Sequence, residues 1–280
     1  MKTSLHNKFA ALSHPNRLDI FRLLMRRFPD ALPAGQIAQV LDFPASTTST
    51  YLAALRQAGL IDQYRAGTSL QYRAALPAIR SFFDHMVSDC CQNRPDLCLA
   101  PGGLDLPLIA ETGGRMNVLF VCTANAGRSL MAEAILRTAA GDRFNVFSAG
   151  THPAPAPHAD AVATLASHDI PAEGLTPKTI ATFLSDQAPK MDLVITVCDM
   201  AANEDVCAWP GRPLCAHWSM EDPDAVKGNA TARRNAFRHA FDLLDARIRV
   251  FAALPLERLD RVDLQHRLDD LAGLRTEIPA

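Results

Sequence analysis

The stretch that most constrains this chain is Cys122, a loop of five residues, then Arg128 and Ser129, set between an apolar run and a helical one. Residues 118–121 (Val-Leu-Phe-Val) are apolar throughout and read as a buried parallel strand. The strand ends on Cys122, a short loop follows, and residues 128–140 carry a helical pattern. A strand-to-helix loop of this kind aims successive backbone N–H groups and the positive end of a helix at one point, a site for a tetrahedral oxyanion. The expected oxyanion contacts are the amides of Thr123, Ala124, Asn125, Ala126 and Gly127 together with Arg128, whose planar fork can hold two oxygens of a phosphate or arsenate. Amides, helix dipole and guanidinium all favour a thiolate, so Cys122 is expected to ionise well below an ordinary thiol. Ser129 can donate to that sulfur, and Asn125 can brace the loop from inside.

Cysteine, five residues, arginine and serine at a strand-to-helix turn resembles the phosphate loop of low-molecular-weight protein tyrosine phosphatases and of the arsenate reductases built on that fold. The usual loop reads Cys-x-x-Asn-Ser-(Cys or Ala)-Arg-Ser, and here Ala126-Gly127 stands in place of Ser-(Cys/Ala). That departure removes a loop hydroxyl and is expected to soften the loop. The resemblance implies Cys122 as nucleophile, with Asn125, Arg128 and Ser129 in supporting roles.

A length of 280 residues is enough for two domains. No apolar run approaches a membrane span and the N-terminus lacks a signal-peptide core, so a cytoplasmic protein without a membrane partner is expected. Seven cysteines, odd in number and clustered, suit thiol chemistry or soft-metal binding better than a disulfide framework. Residues 1–85 carry ten Lys/Arg against five Asp/Glu, a balance of +5, so the remainder sums to −7 to reach the net −2. A basic first part suits a nucleic-acid-binding module joined to something else.

Residues 1–98 read as that module. A helix starts where Ser13 precedes Pro15, with Leu18, Phe21, Leu24 and Met25 on one face. A short helix over 34–41 turns Ile37, Ala38 and Leu41 inward. A third helix begins near Ser46 with the hydroxyls Ser46, Thr47, Thr48, Ser49 and Thr50, buries Tyr51 or Leu52 and Leu55, and stops at Gly59. Residues 60–73 alternate around Ala66-Gly67 as a β-hairpin. This order is a mainly α winged helix–turn–helix. Its third helix would enter the major groove, the hydroxyls reaching phosphates or base edges, while Arg65 and Arg73 on the wing supply the salt-dependent term.

The segments Ala-Leu-Ser-His-Pro-x-Arg-Leu and Ser-Thr-x-Ser-x-x-Leu-x-x-Leu resemble the ArsR-type metalloregulatory repressors. The resemblance implies operator DNA as a partner and a homodimer paired through the amphipathic run 76–87 (Ile79, Phe82, Phe83, Met86), a run that ordinary core packing would explain equally well. Cys90, Cys91 and Cys98 follow it, and Pro95 lets the chain fold back so that three thiolates converge on a thiophilic centre. Trivalent arsenic suits three sulfurs. Similar clusters occur in arsenite-sensing relatives, which makes arsenite the expected effector; zinc binding and inert surface thiols are the alternatives.

Residues 99–115, rich in Gly and Pro, read as a linker. From residue 116 to 280 strand and helix alternate: strands over 116–122, 145–148 and 192–198, helices over 128–140, 158–168 and 232–253, a short helix near 180–184 and a final helical stretch over 256–274. This is an α/β doubly wound parallel sheet with its ligand loops at the carboxyl ends of the strands.

Three features converge on Cys122. Phosphatases and reductases of the resembled fold place the acid of an Asp-Pro pair over the oxyanion, so Asp222 is the candidate general acid. Cys198 ends a strand of the same sheet and Cys207 lies on the loop behind it. A phosphatase needs one thiol, whereas a reductase must dispose of two oxidising equivalents. Cys198 could resolve an arsenate adduct on Cys122, and Cys207 could then leave a Cys198–Cys207 disulfide for an external thiol such as thioredoxin, glutaredoxin or glutathione. Residues 148–151 (Ser-Ala-Gly-Thr) permit close approach to the anion loop. His152, His158 and His217 read as surface or structural, and Cys215 as a packing thiol. The combined expectation is an arsenite-responsive repressor fused to an arsenate reductase; a phosphatase domain or a non-catalytic oxyanion sensor fused to the regulator are the alternatives.

Overall fold

The structure, a computed structural model, describes residues 2–86, 90, 114–185, 187–204 and 209–274. The chain divides into two compact units, Met1–Leu106 and Pro107–Ala280.

The first unit contains α1 (Lys2–Leu12), α2 (Pro15–Arg26), β1 (Leu32–Pro33), α3 (Ala34–Leu41), α4 (Ala45–Gln57), β2 (Ile61–Ala66), β3 (Ser69–Ala74) and α5 (Leu76–His85). Its core gathers Ile20, Leu23, Leu24, Ile37, Leu52, Leu55, Leu60, Tyr72 and Ile79. The face of α2 that faces this core is therefore rotated from the expected one: Ile20 and Leu23 join Leu24, while Met25 is exposed. The N-cap of α2 is His14 with no side-chain capping bond, and Ser13 instead donates back to the Ala10 carbonyl at 2.8 Å. Helix α1 and the short strand β1, which pairs with β3 on the hairpin's outer side, were not legible from periodicity. The hairpin itself turns at Gly67 with φ 60°, the left-handed conformation that suits glycine.

The second unit is built on four parallel strands in the order β5-β4-β6-β7: β4 (Met116–Cys122), β5 (Phe144–Gly150), β6 (Leu193–Thr196) and β7 (Leu214–His217). The four-residue β7 is too short for a periodic signal and had not been expected. Between them run α6 (Arg128–Ala140), α7 (Ala159–Ala166) and α8 (Asp199–Asn203), and after the last strand come α9 (Ala230–Ala252) and α10 (Arg261–Ala272). The chain leaves β4 for β5 on one side and reaches β6 and β7 on the other. The topological switch therefore lies at β4, where α/β sheets place ligands beyond the strands' carboxyl ends.

Every residue of β4 is buried, as is most of α6, which packs between the sheet and α9. Trp218, fully buried after β7, donates through Nε1 to the Leu268 carbonyl at 3.1 Å and fastens α10 to the sheet. Burial at that depth fixes the ends of the strands, and with them the loops that carry the chemistry. No helix among the described residues is long and apolar enough to cross a membrane.

Candidate active site

Cys122 closes β4 in register with Gly150 of β5, and α6 begins at Arg128. The intervening loop is turned by long-range backbone bonds. The carbonyls of Cys122, Thr123, Ala124 and Ala126 accept from the N–H groups of Thr151, His152, Ala154 and His158 at 2.8–3.1 Å. In a trans peptide the N–H points opposite the carbonyl, so these bonds turn the following amides inward. The Asn125 N–H reaches the Cys122 sulfur at 3.2 Å. Asn125 sits at φ 45°, a left-handed conformation that asparagine tolerates. Close approach here requires glycine at position 150. A Cβ there would stand 2.6 Å from the Thr123 carbonyl oxygen and 3.0 Å from the Asn125 nitrogen.

The Asn125 side chain, fully buried, donates to Ser129 Oγ at 2.9 Å and Ser148 Oγ at 2.8 Å, and accepts from the Lys178 backbone N–H at 2.7 Å. Ser148 donates to Glu133, a buried carboxylate on α6 that also pairs with Lys178 Nζ at 3.5 Å. Sequence reasoning missed Glu133 and Lys178. Both lie outside the loop motif, and a Glu at a helical core position was the only available signal.

Ser129 Oγ lies 2.9 Å from the Cys122 sulfur. Burial pushes the Cys122 thiol above its ordinary value, and the neighbouring Cys198 adds to the rise, against the Ser129 hydrogen bonds and the Arg128 charge. The expectation of a lowered thiol is thus not met, because burial outweighs Ser129 and Arg128. The sulfur is almost wholly out of water. The guanidinium meant to stabilise it is paired with Asp222, Nη2 to Oδ2 at 3.1 Å, and donates to the Met220 carbonyl at 3.3 Å. That same ion pair brings Asp222 to the loop. Asp222 caps the short 3-10 turn Pro223–Ala225 by accepting from the Asp224 N–H at 3.2 Å.

Cys198 lies just past β6, whose strand runs beside β4; the Val197 N–H donates to the Val121 carbonyl at 2.8 Å. Its buried sulfur is 3.4 Å from Thr123 Oγ1 and accepts from the Ala201 N–H at 3.4 Å, capping α8. The structure therefore brings together the loop 122–129, Asp222 and Cys198. Cys207 lies outside the described residues. Cys215 is exposed on β7, so its packing role is not met. His217 is buried, with Nδ1 2.9 Å from Thr196 Oγ1.

The altered loop pair has a structural counterpart. A Cβ on Gly127 would stand 3.2 Å from Cε1 of Phe237, a buried ring on α9 that occupies the space beside it. Phe237 stacks on His158 with centroids 4.5 Å apart. The loop is thus packed from outside at Gly127.

In the first unit, Thr48 on α4 is fully buried and its hydroxyl is spent on the Pro44 carbonyl at 3.1 Å, so it cannot face DNA as expected. Ser49 and Thr50 are exposed, but each bonds back to a carbonyl four residues earlier, at 3.0 and 3.1 Å. Ser46, Thr47, Arg65 and Arg73 are exposed or half-buried. Arg73 lies 5.9 Å above the Tyr64 ring. On α5, Ile79 and Phe82 belong to the core while Phe83 is 53% exposed, which divides the expected pairing face. Cys90 is exposed; Cys91 and Cys98 lie outside the described residues.

Arsenate reductase of Halalkalibacterium halodurans is 35% identical over 136 residues, covering 48% of this chain and 94% of that protein. Arsenate reductase 1 of Bacillus cereus is 33% identical over 139 residues, covering 49% and 95%. A solved structure described as an arsenate reductase in oxidized state matches at 27% identity and TM-score 0.41, covering 49% of this chain and 96% of that one. Residues 12–64 match a helix-turn-helix domain. Through residues 117–263, which open with the strand and the cysteine loop, the chain belongs to the low molecular weight phosphotyrosine protein phosphatase family.

Proposed function

We propose that the second unit reduces arsenate to arsenite and that the first is an operator-binding repressor released by arsenite. The observation that carries the enzymatic part is the second buried thiol, Cys198, 3.4 Å from the hydroxyl of Thr123 in the nucleophile's own loop. Hydrolysis of a phosphate ester has no use for it.

Arsenate would bind in the amide loop, displacing Asp222 from Arg128. The Cys122 sulfur attacks arsenic, and Asp222 protonates the departing oxygen, which leaves as water. Cys198 then attacks the Cys122 sulfur. The S–As bond breaks, its electron pair stays on arsenic, and arsenite leaves as a Cys122–Cys198 disulfide forms. Attack of Cys207 on Cys198 frees Cys122 and leaves a Cys198–Cys207 disulfide for an external thiol reductant to open. In the first unit the start of α4 would read the major groove and the wing would contact phosphates. Cys90, Cys91 and Cys98 would bind arsenite in a homodimer.

Purified chain, arsenate and a thiol reductant should yield arsenite. Cys122→Ser should abolish turnover, Cys198→Ser should stop it at the covalent arsenic adduct, and Cys207→Ser should stop it after one arsenite, at the Cys122–Cys198 disulfide. Arsenite formation that persists without Cys198 and Cys207 would remove the relay, and aryl phosphate hydrolysis that survives their loss with no arsenite formed would replace this reading with a phosphatase.

A further inference from the structure

We propose that His158 is a positioning residue for the proton donor: it straps the segment carrying Asp222 to the anion loop. The proposal rests on the reading of Asp222 as general acid. His158 touches both parts. Its backbone N–H donates to the loop carbonyl of Ala126 at 2.9 Å, and its ring lies flat against Phe237, the side chain that closes on Gly127. Its Nε2 is 3.2 Å from Asp224 Oδ1, two residues beyond Asp222 on the same short turn.

The proton on that ring can be placed. Nδ1 accepts the Asp160 N–H at 3.1 Å, the cap of α7, so Nδ1 carries no hydrogen. The ring hydrogen of the neutral form is then on Nε2, directed at Asp224. The Asp160 carboxylate is held by Arg233 at 2.6 Å and does not compete for it. A strap built this way fixes the Asp222 turn while leaving the Asp222 carboxylate free to exchange Arg128 for the leaving oxygen.

Two substitutions remove the strap. Asp224→Ala deletes the exposed acceptor, and His158→Asn keeps a cap for α7 but is too short to reach Asp224. Each should lower kcat/KM for arsenate reduction and for phenyl phosphate, whose leaving groups need a proton, by about tenfold. The effect on 4-nitrophenyl phosphate, a better leaving group, should stay under about threefold. The double variant should lose no more than either single one. Phosphate protection of Cys122 against alkylation should not change in Asp224→Ala. Ring nitrogen NMR shifts should show the Nε2–H tautomer in the unmodified chain.

Equal losses on all substrates, additive losses, or an Nδ1–H tautomer would overturn the proposal. Activity lost in Asp222→Asn but kept in Asp224→Ala would overturn it alone. Activity kept in Asp222→Asn, or an unmodified chain inert toward every substrate, would remove the acid reading and the proposal together.

Discussion

Cys122 is a nucleophile whose resting state is set by competition. Two hydrogen-bond donors favour the thiolate, whereas burial and a second thiol oppose it and prevail. The pH dependence of alkylation by iodoacetamide should therefore show Cys122 titrating above an ordinary thiol. Cys198→Ser should move that midpoint down, because it removes the neighbouring group that disfavours charge. The same shift has a stability consequence. Above the ordinary thiol value the folded chain keeps a proton that the unfolded chain gives up, so stability falls as pH rises from there toward the raised folded value. Urea unfolding across the alkaline range should show that decline in the native sequence and a flatter one in Cys122→Ser. Gly150 is a second control point at this scale. A Cβ at 2.6 Å from a backbone oxygen cannot be relieved by turning a side chain, so Gly150→Ala should cost about 1–3 kcal/mol and weaken phosphate protection of Cys122.

Individual elements work as supports for these atoms. Helix α6 presents Ser129 to the sulfur and, one turn on, Glu133 to the Ser148–Asn125 brace, so one helix holds the loop from two places. Removing the carboxylate leaves the Ser148 hydroxyl and the Lys178 ammonium without it. Glu133→Ala should lower stability by about 3 kcal/mol in urea titrations and loosen oxyanion binding; an unchanged midpoint would disconnect Glu133 from the brace. In the first unit α4 offers fewer free hydroxyls than its composition suggests, because Thr48, Ser49 and Thr50 bond to their own helix. DNA affinity should then lean on the wing. Arg65→Ala with Arg73→Ala should reduce the slope of log affinity against log salt by about two in fluorescence-anisotropy titrations.

Across the whole molecule, a reductase and a regulator on one chain form a chemical sequence, because the first reaction makes the species proposed to trigger the second. Operator DNA bound to the full chain should be released by arsenate plus thiol reductant as well as by arsenite. Cys122→Ser should abolish the response to arsenate and leave the response to arsenite intact. Anisotropy of labelled operator reads both, and release of the Cys122→Ser chain by arsenate would show that oxyanion binding alone is the signal.

By itself, the sequence determined the loop, its nucleophile, the start of α6 and the alternation of strand and helix. Each is written in local spacing: a cysteine and an arginine six positions apart, an apolar run before them and a helical period after. It also carried Asp222, through motif resemblance, and Cys198, through its place at the end of a strand of the same sheet. Tertiary structure alone decided the rest. The protonation of Cys122 depends on burial and on Cys198, 76 positions away in sequence. The Gly127 departure made sense only once Phe237 was seen filling the space beside it. The burial of Thr48 and the approach of His158 to Asp224 were likewise visible only in the folded chain. Local pattern can specify which element forms, but solvent exclusion and long-range contacts set the chemistry of the groups that element carries.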